Sequence, residues 1–339
     1  MRSKVIKTFY SPNQVLEQGG ASNYSKSPKK PKLLLEYLED KDLLKNFEVT
    51  DDFKPFEIAD FEIAHDPSYV EEFFAGKGRC SSNALSWSKQ FAESVKYTNA
   101  SIYSAIKNSI DNPQEVSFSP TSGFHHARPT GGSGFCTFSG QVIASLKIYE
   151  EYGLSGAYLD LDGHYGNSIE DSRFFCKNLN KAVPLDFNIN PVGYDEAYLE
   201  NLGLWLARLK QAILDKKIHY VVWCHGADSH ADDQLGSQCT TPYWIACATL
   251  FWRWVKEMDE LLGEPLPVAC ALFGGYRDDD YNSVLSLHTS DFVECFTELL
   301  GIDVKYTIEV LPRQKFGYAN ETRLRRSRKR VDKKVQRRR

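Results

Sequence analysis

No apolar run in this chain approaches the roughly 20 residues of a membrane-spanning helix, so a membrane partner is not expected. The opening Met1-Arg2-Ser3-Lys4 leads into no secretory apolar segment, and an intracellular, cytoplasmic location is expected. Eight cysteines are present without a Cys-x-x-Cys pair. Most lie inside apolar runs, where a reduced thiol behaves as a small hydrophobe, so neither a disulfide framework nor a zinc finger is read. Internal repeats are also lacking, which argues against a solenoid. What is present is ordinary for a folded soluble body: 42% hydrophobic, 13% aromatic and 25% charged residues over 339 positions. That composition supports a sizeable core and one globular domain.

Charge is unevenly placed. Between Arg323 and Arg339 stand 11 basic residues and one acid, a local charge of +10, so the remainder carries −14 to give the net −4. We expect a folded body over 1–318 and a basic, disordered tail over 319–339. Such a block either binds nucleic acid or another polyanion, or serves as a solvated face.

Strand-like runs recur at Lys4–Tyr10, Val116–Ser119, Gly156–Asp162, His219–Cys224, Pro267–Phe273 and Val304–Val310. Helical stripes alternate with them: Phe91, Val95, Ile102 and Ile106; Val142, Leu146 and Tyr149; Leu199, Leu202, Leu206, Leu209 and Ile213; Trp244, Cys247, Phe251, Trp254 and Met258. Residues 20–32 read as a loop before a helix starting near Leu33. The pattern predicts an α/β fold of three layers, a mostly parallel central sheet with helices on both faces. Its site should lie beyond the carboxyl ends of the strands.

Two ligand-bearing stretches sit at such ends, Asp160-Leu161-Asp162-Gly163-His164 and His225-Gly226-Ala227-Asp228. Alternation along a strand would point Asp160, Asp162 and His164 the same way, so two of them could join Asp228 around one cation. Three protein ligands on zinc leave a position for a water of pKa about 7, as a neutral-pH hydrolase needs. Phe124-His125-His126-Ala127 precedes the glycine-rich Gly131-Gly132-Ser133-Gly134-Phe135-Cys136, and its imidazoles titrate near neutrality. Leu272-Phe273-Gly274-Gly275-Tyr276 ends a strand in two glycines and a phenol that could donate to an oxyanion. Alone, the histidine pair reads as loop residues and Gly-Gly-Tyr as a turn. Among the rest, His65, His219 and His288 read as structural, and Asp232 and Asp233 as loop-orienting. His225 and His230 either line the mouth or pack internally.

The four blocks in this order resemble the histone deacetylase superfamily, including bacterial acetylpolyamine amidohydrolases, from about Phe118 to Cys295. Lys26–Leu38 and Ala64–Phe74 are similar to its opening helix and His-x-x-x-Tyr segment. The resemblance implies an arginase/deacetylase-like fold and makes Asp162, His164 and Asp228 zinc ligands, with iron(II) suited to the same donors. It makes His126 the main proton shuttle, His125 the group that bonds carbonyl or water, and Tyr276 the oxyanion donor. Asp160 would orient His125, and Asn167 would partner His126. As a neutral amide, Asn167 should leave that imidazole less basic than a carboxylate would. Phe135 and Gly134 would wall the substrate channel.

The chain departs from the family after the metal strand. Only Phe174–Pro184 separates Arg173 from the strand-like Leu185–Ile189, where family members carry a longer loop, so a wider mouth is expected and a potassium site is not. Gly166 occupies the place of the further carboxylate that a dinuclear site needs. The resemblance thus implies a zinc-dependent amidohydrolase that removes an acyl group, acetyl in the simplest case, from a lysine side chain or polyamine. The alternative is a deacetylase-like binding protein of low activity, tethered to nucleic acid or an assembly by its tail.

Overall fold

The apolar runs become short parallel strands whose residues alternate between two cores. A computed structural model describes residues 1–16 and 25–313; the basic tail and part of the expected 20–32 loop fall outside the described residues. Seven strands form one sheet: β1 (Ile6–Phe9), β2 (Phe47–Thr50), β3 (Val116–Ser119), β4 (Gly156–Asp160), β5 (Asn188–Ile189), β6 (Tyr220–Cys224) and β7 (Val268–Ala271). Their order is β2-β1-β3-β7-β6-β4-β5, and every pairing is parallel. This is the expected α/β architecture, and neither face of the four central strands is wet.

Period-2 alternation sorts the side chains. Val221 and Trp223 of β6 pack into one core with Val268 and Cys270 of β7, while Tyr220, Val222, Ala269 and Ala271 enter the other. Helices Lys30–Asp40, Glu196–Leu214, Thr241–Leu262 and Tyr281–Glu294 cover the first face; Lys89–Asp111 and Gly140–Tyr152 cover the second. The predicted stripes are the buried faces of these helices. Trp244, Cys247, Phe251, Trp254 and Met258, for example, are all buried along Thr241–Leu262.

Three expectations need correction. Val304–Val310 is not a strand, although exposure alternates along it. Its apolar side chains pack on the first core, but its amides at Glu309 and Leu311 donate to Ser286 and Ser283 of helix Tyr281–Glu294, so no sheet edge is available to it. Strand β2, with only Phe47 buried, escaped notice because a four-residue edge strand carries little apolar signal. The first described long helix starts at Lys30, with Pro31 in its first turn, three residues before the expected Leu33.

Register aligns the carboxyl ends. Ser119 pairs with Ala271, Ala271 with Cys224, and Cys224 with Asp160, so β3, β7, β6 and β4 stop on one line. The four loops that leave this line carry His125 and His126, Tyr276, Asp228, and Asp162 with His164. No described helix is long and apolar enough to cross a membrane.

Candidate metal centre

Asp162, His164 and Asp228 converge: one ligand atom from each lies within 4.8 Å of the others. Strand alternation alone does not produce this. β4 ends at Asp160, and a turn follows in which the Asp162 amide donates to Asp160 Oδ1 (3.2 Å) and the His164 amide to Asp162 Oδ1 (2.9 Å). That turn brings His164 Nδ1 to 3.1 Å from Asp162 Oδ1 and 2.9 Å from Asp228 Oδ2. Asp160 stays out of the cluster and instead meets His125 Nδ1 at 2.9 Å through Oδ2. Of the three residues that the alternation treats alike, Asp162 and His164 are the two that lie with Asp228.

The loops lock one another. Gly274 N–H donates to Asp162 Oδ2 (2.8 Å), Gly163 N–H to Asp228 Oδ1 (2.9 Å), and Ala227 N–H to the Gly274 carbonyl (2.9 Å). A Cβ on Gly274 would land on the Asp228 carboxyl group, so only glycine lets this strand end approach so closely. A Cβ at Gly166 would fall on the Asp160 carboxylate, which excludes the extra acidic ligand of a dinuclear centre at that position.

The electrostatics of the cluster call for a cation. Both carboxylates are buried. Burial, and then the charge of Asp162, push the Asp228 carboxyl up to about 7. Burial also works against Asp162, but His125 and His164 outweigh it and hold this group below the ordinary carboxylate range. At His164, burial is overcome by hydrogen bonds to Asp162 and Asp228, which raise the imidazole to about 11. Two adjacent buried carboxylates recruit a proton when no metal balances them. One imidazole and two carboxylates in this arrangement fit a single divalent zinc or iron ion.

His125 and His126 stand beside the cluster with ring centroids 4.1 Å apart, and His126 is 6.0 Å from the His164 ring. Their partners differ. His125 is buried against Asp160, with Nε2 3.6 Å from Asp162 Oδ2; burial lowers its pKa, but Asp162 and Asp160 prevail and hold it at about 9. His126 Nδ1 lies 2.9 Å from Asn167 Oδ1, and the Asn167 amide nitrogen donates to Asp171 (2.6 Å). This relay turns the Asn167 carbonyl toward His126, so the imidazole carries its proton on Nδ1 and keeps Nε2 free. Burial and the neighbouring His125 hold His126 at about 4, and the Asn167 bond opposes them only in part.

Tyr276 is 8% exposed; its ring centroid lies 6.2 Å from that of His164 and 5.7 Å from that of Phe135. Burial raises its phenol well above the ordinary value, so it is a hydrogen-bond donor at neutral pH. Its amide donates to Asp233 Oδ2 (2.6 Å), and Asp233 Oδ1 accepts from Leu235 and Gly236, the loop-orienting part read for that residue. Gly134 and Phe135 both have positive φ, 52° and 64°, and the Phe135 amide donates to Asn83 O (2.9 Å). That turn sets the phenyl ring opposite Tyr276. A narrow cavity is lined by His125, Gly134, Phe135, Asp162, Gly274 and Tyr276 among others.

His225 and His230 do not line this mouth. His225 is buried, stacks on Trp244 at 3.8 Å and bonds Asp291; His230 is buried against Thr241. Sequence reasoning missed Lys30, which is buried and bonds through Nζ to the Phe273 carbonyl behind the cluster. Burial brings it down to about 8, against the pull of Asp228 and Asp162. Nothing in the sequence separates it from Lys26, Lys29 and Lys32 around it.

Residues 24–180 match the family model of the histone deacetylase domain. Histone deacetylase 8 of Danio rerio is 25% identical over 230 residues, covering 60% of this chain and 54% of that protein. Histone deacetylase 14, chloroplastic, of Arabidopsis thaliana is 26% identical over 292 residues, 74% of this chain and 66% of that one. The matches thus span from about half to two thirds of these two relatives. Among solved structures, the HDA15 HD domain superposes with a TM-score of 0.65 at 13% identity, over 90% of this chain and 91% of that one. The acetylpolyamine aminohydrolase from Burkholderia pseudomallei gives 0.63 at 16%, over 87% of this chain and 99% of that one. The parallel sheet, the four loops on its carboxyl edge and these likenesses agree: the chain is similar in sequence to the histone deacetylase domain over residues 24–180 and has the fold of the HDA15 HD domain and the acetylpolyamine aminohydrolase.

Proposed function

We propose that the protein is a metal-dependent deacylase that hydrolyses the amide of an acylated lysine side chain or polyamine, with acetyl as the simplest acyl group. The observation that carries this reading is the convergence of Asp162, His164 and Asp228 beside a tautomer-fixed imidazole and a buried phenol. Those three residues would hold zinc, or iron(II), and the bound ion supplies Lewis-acid polarisation of the amide and acidification of water. His126, neutral with Nε2 free, accepts the proton from the attacking water and returns one to the leaving amine. His125, kept charged by Asp160, bonds the carbonyl or water, and Tyr276 donates to the oxyanion as the carbon becomes tetrahedral. Phe135 and Gly134 flank the acyl-bearing chain. No basis for a potassium site is offered by the short 174–184 connection.

The body 1–318 acts in this reading as one catalytic domain, with 319–339 as a basic appendage that can meet nucleic acid or another polyanion. Eight unbonded cysteines accord with a reducing compartment such as the cytoplasm. A binding protein of low activity is less favoured, because His126 and Tyr276, the proposed base and oxyanion donor, both stand beside the cluster. The test is metal analysis combined with a turnover screen across acetyl-lysine peptides, acetylpolyamines and longer acyl-lysines. One metal per chain with hydrolysis of at least one class is expected; a metal-loaded protein inert toward all of them would sink the proposal.

A further inference from the structure

The last described residues are pinned to the rim of this site. Arg313 N–H donates to Asp232 Oδ1 (3.3 Å), and Arg313 Nη1 donates to the Asp233 carbonyl (3.2 Å). Arg277 Nη1, next to Tyr276, donates to Leu311 O (3.0 Å). Asp233 in turn holds the Tyr276 amide, so Arg313 stands two hydrogen bonds from the proposed oxyanion donor. The chain beyond it, 314–339, carries a charge of +10 and four lysines, Lys315, Lys329, Lys333 and Lys334.

The rim is acidic. Asp278 and Asp279 are exposed, and Asp232 and Asp280 are half-buried on the same two loops. Arg277 is buried and pairs with Asp279 at 2.7 Å. Asp278 accepts from the Gln234 amide, and Asp280 from the Ser283 hydroxyl. Both donors are neutral, and Arg277, paired with Asp279, is the buried cation that faces Asp280. A body of −14 and a segment of +10 attract wherever the segment lies, and the rim is where the two are joined. Reach is ample in any conformation. Lys329 lies sixteen positions beyond Arg313, which is about 24 Å as a helix and about 55 Å fully extended.

We infer that the basic segment after Arg313 docks on this acidic rim and that one of its lysines, once acylated, is a substrate of the site in cis. The inference rests on the deacylase reading above. In the step, the oxygen of water bonds to the acyl carbon as the amide C–N bond breaks. The acyl group leaves as a carboxylate and the lysine nitrogen takes a proton, with no change of oxidation state. Tethering replaces encounter by an effective concentration on the order of millimolar, so at micromolar protein the advantage over a separate peptide is roughly 10³-fold.

The test uses metal-loaded, full-length protein carrying a single Nε-acetyl-lysine at Lys315, Lys329, Lys333 or Lys334 in separate preparations. A fifth carries it at Lys216, an exposed residue before β6 at the opposite edge of the sheet. Loss of acetyl is followed by mass spectrometry over roughly a hundredfold dilution. For at least one of the four positions, a rate constant independent of concentration is expected, reduced severalfold by high salt as the rim is screened. Acetyl at Lys216 should be lost only in proportion to concentration or not at all. The inference is overturned if all four behave like Lys216 while a free acetyl-lysine peptide is hydrolysed, an outcome that leaves the deacylase reading intact. Should the free peptide also survive, that reading fails and this inference fails with it.

Discussion

The loops after β4 and β6 and the loop after β3 meet at one point but are built on opposite principles. In the first pair, Asp162 and Asp228 each receive a backbone N–H from the loop after another strand and share His164, and Asp162 also has His125 Nε2 3.6 Å away. In the second, each imidazole is fixed by its own side-chain acceptor, Asp160 for His125 and Asn167 for His126. Buried like charges held by amide dipoles and a shared imidazole suit a cation, because their repulsion is relieved when one binds. Imidazoles each held by its own acceptor, with pKa values driven apart to about 9 and about 4, suit a place where protons move.

The largest expected effect breaks the carboxylate side. Asp228→Ala removes a proposed ligand, so metal affinity should fall by more than the roughly 10–100-fold typical of outer partners, and turnover should drop to background. Plasma mass spectrometry after desalting reads this directly. In wild type, metal at 100 times its dissociation constant should add about 2.7 kcal/mol of stability, absent after chelation and in Asp228→Ala. A variant that kept both metal and turnover would remove Asp228 from the site.

Next in size is Tyr276→Phe. It keeps the ring that faces Phe135 and removes the hydroxyl, so kcat should fall about 10²–10³-fold with metal content unchanged. A smaller effect sharpens the contrast between the two histidines. Asn167→Asp places a carboxylate on His126 Nδ1, which should raise that pKa and move the acid limb of the kcat/KM profile toward higher pH. The base is deprotonated only above its pKa, so activity on the acid side should decline. An unshifted acid limb would show that His126 is not the group titrating there.

Much of this arrangement was legible because each motif follows an apolar run, and parallel strands with aligned carboxyl ends bring such motifs together. The family order of the blocks then pointed to the same residues that the geometry assembles. What remained hidden depends on tertiary placement. Alternation treated Asp160, Asp162 and His164 alike, and only the turn capped by Asp162 separates the residue that meets His125 from the two that meet Asp228. Lys30 is one lysine among several until the sheet closes over it. Val304–Val310 has the period of a strand but lies over helix Tyr281–Glu294, where serine hydroxyls take its amides. His225 sits three residues from Asp228, yet the partner that claims it, Asp291, is far away in sequence.

The smallest expected effect concerns a histidine away from the site and tests whether tautomer fixation alone implies proton transfer. His65 is buried, accepts the Ser139 amide on Nε2 (2.9 Å) and therefore donates from Nδ1 to Arg128 O (2.9 Å). Burial lowers its pKa to about 4, against an ordinary value of 6.5. Between those values the unfolded chain binds a proton that the folded chain refuses, so stability is whole above about pH 6.5 and is lost as pH falls toward 4. The full difference is worth about 3 kcal/mol at 1.36 kcal/mol per unit. Urea midpoints at pH 7 and pH 5 should therefore differ less in His65→Gln than in wild type, while the pH profile of kcat keeps its shape. A change in that profile would place His65 in the proton path. An unchanged difference between the two midpoints would instead mean that the pH dependence of stability arises at His230 and His288, whose pKa values burial also depresses.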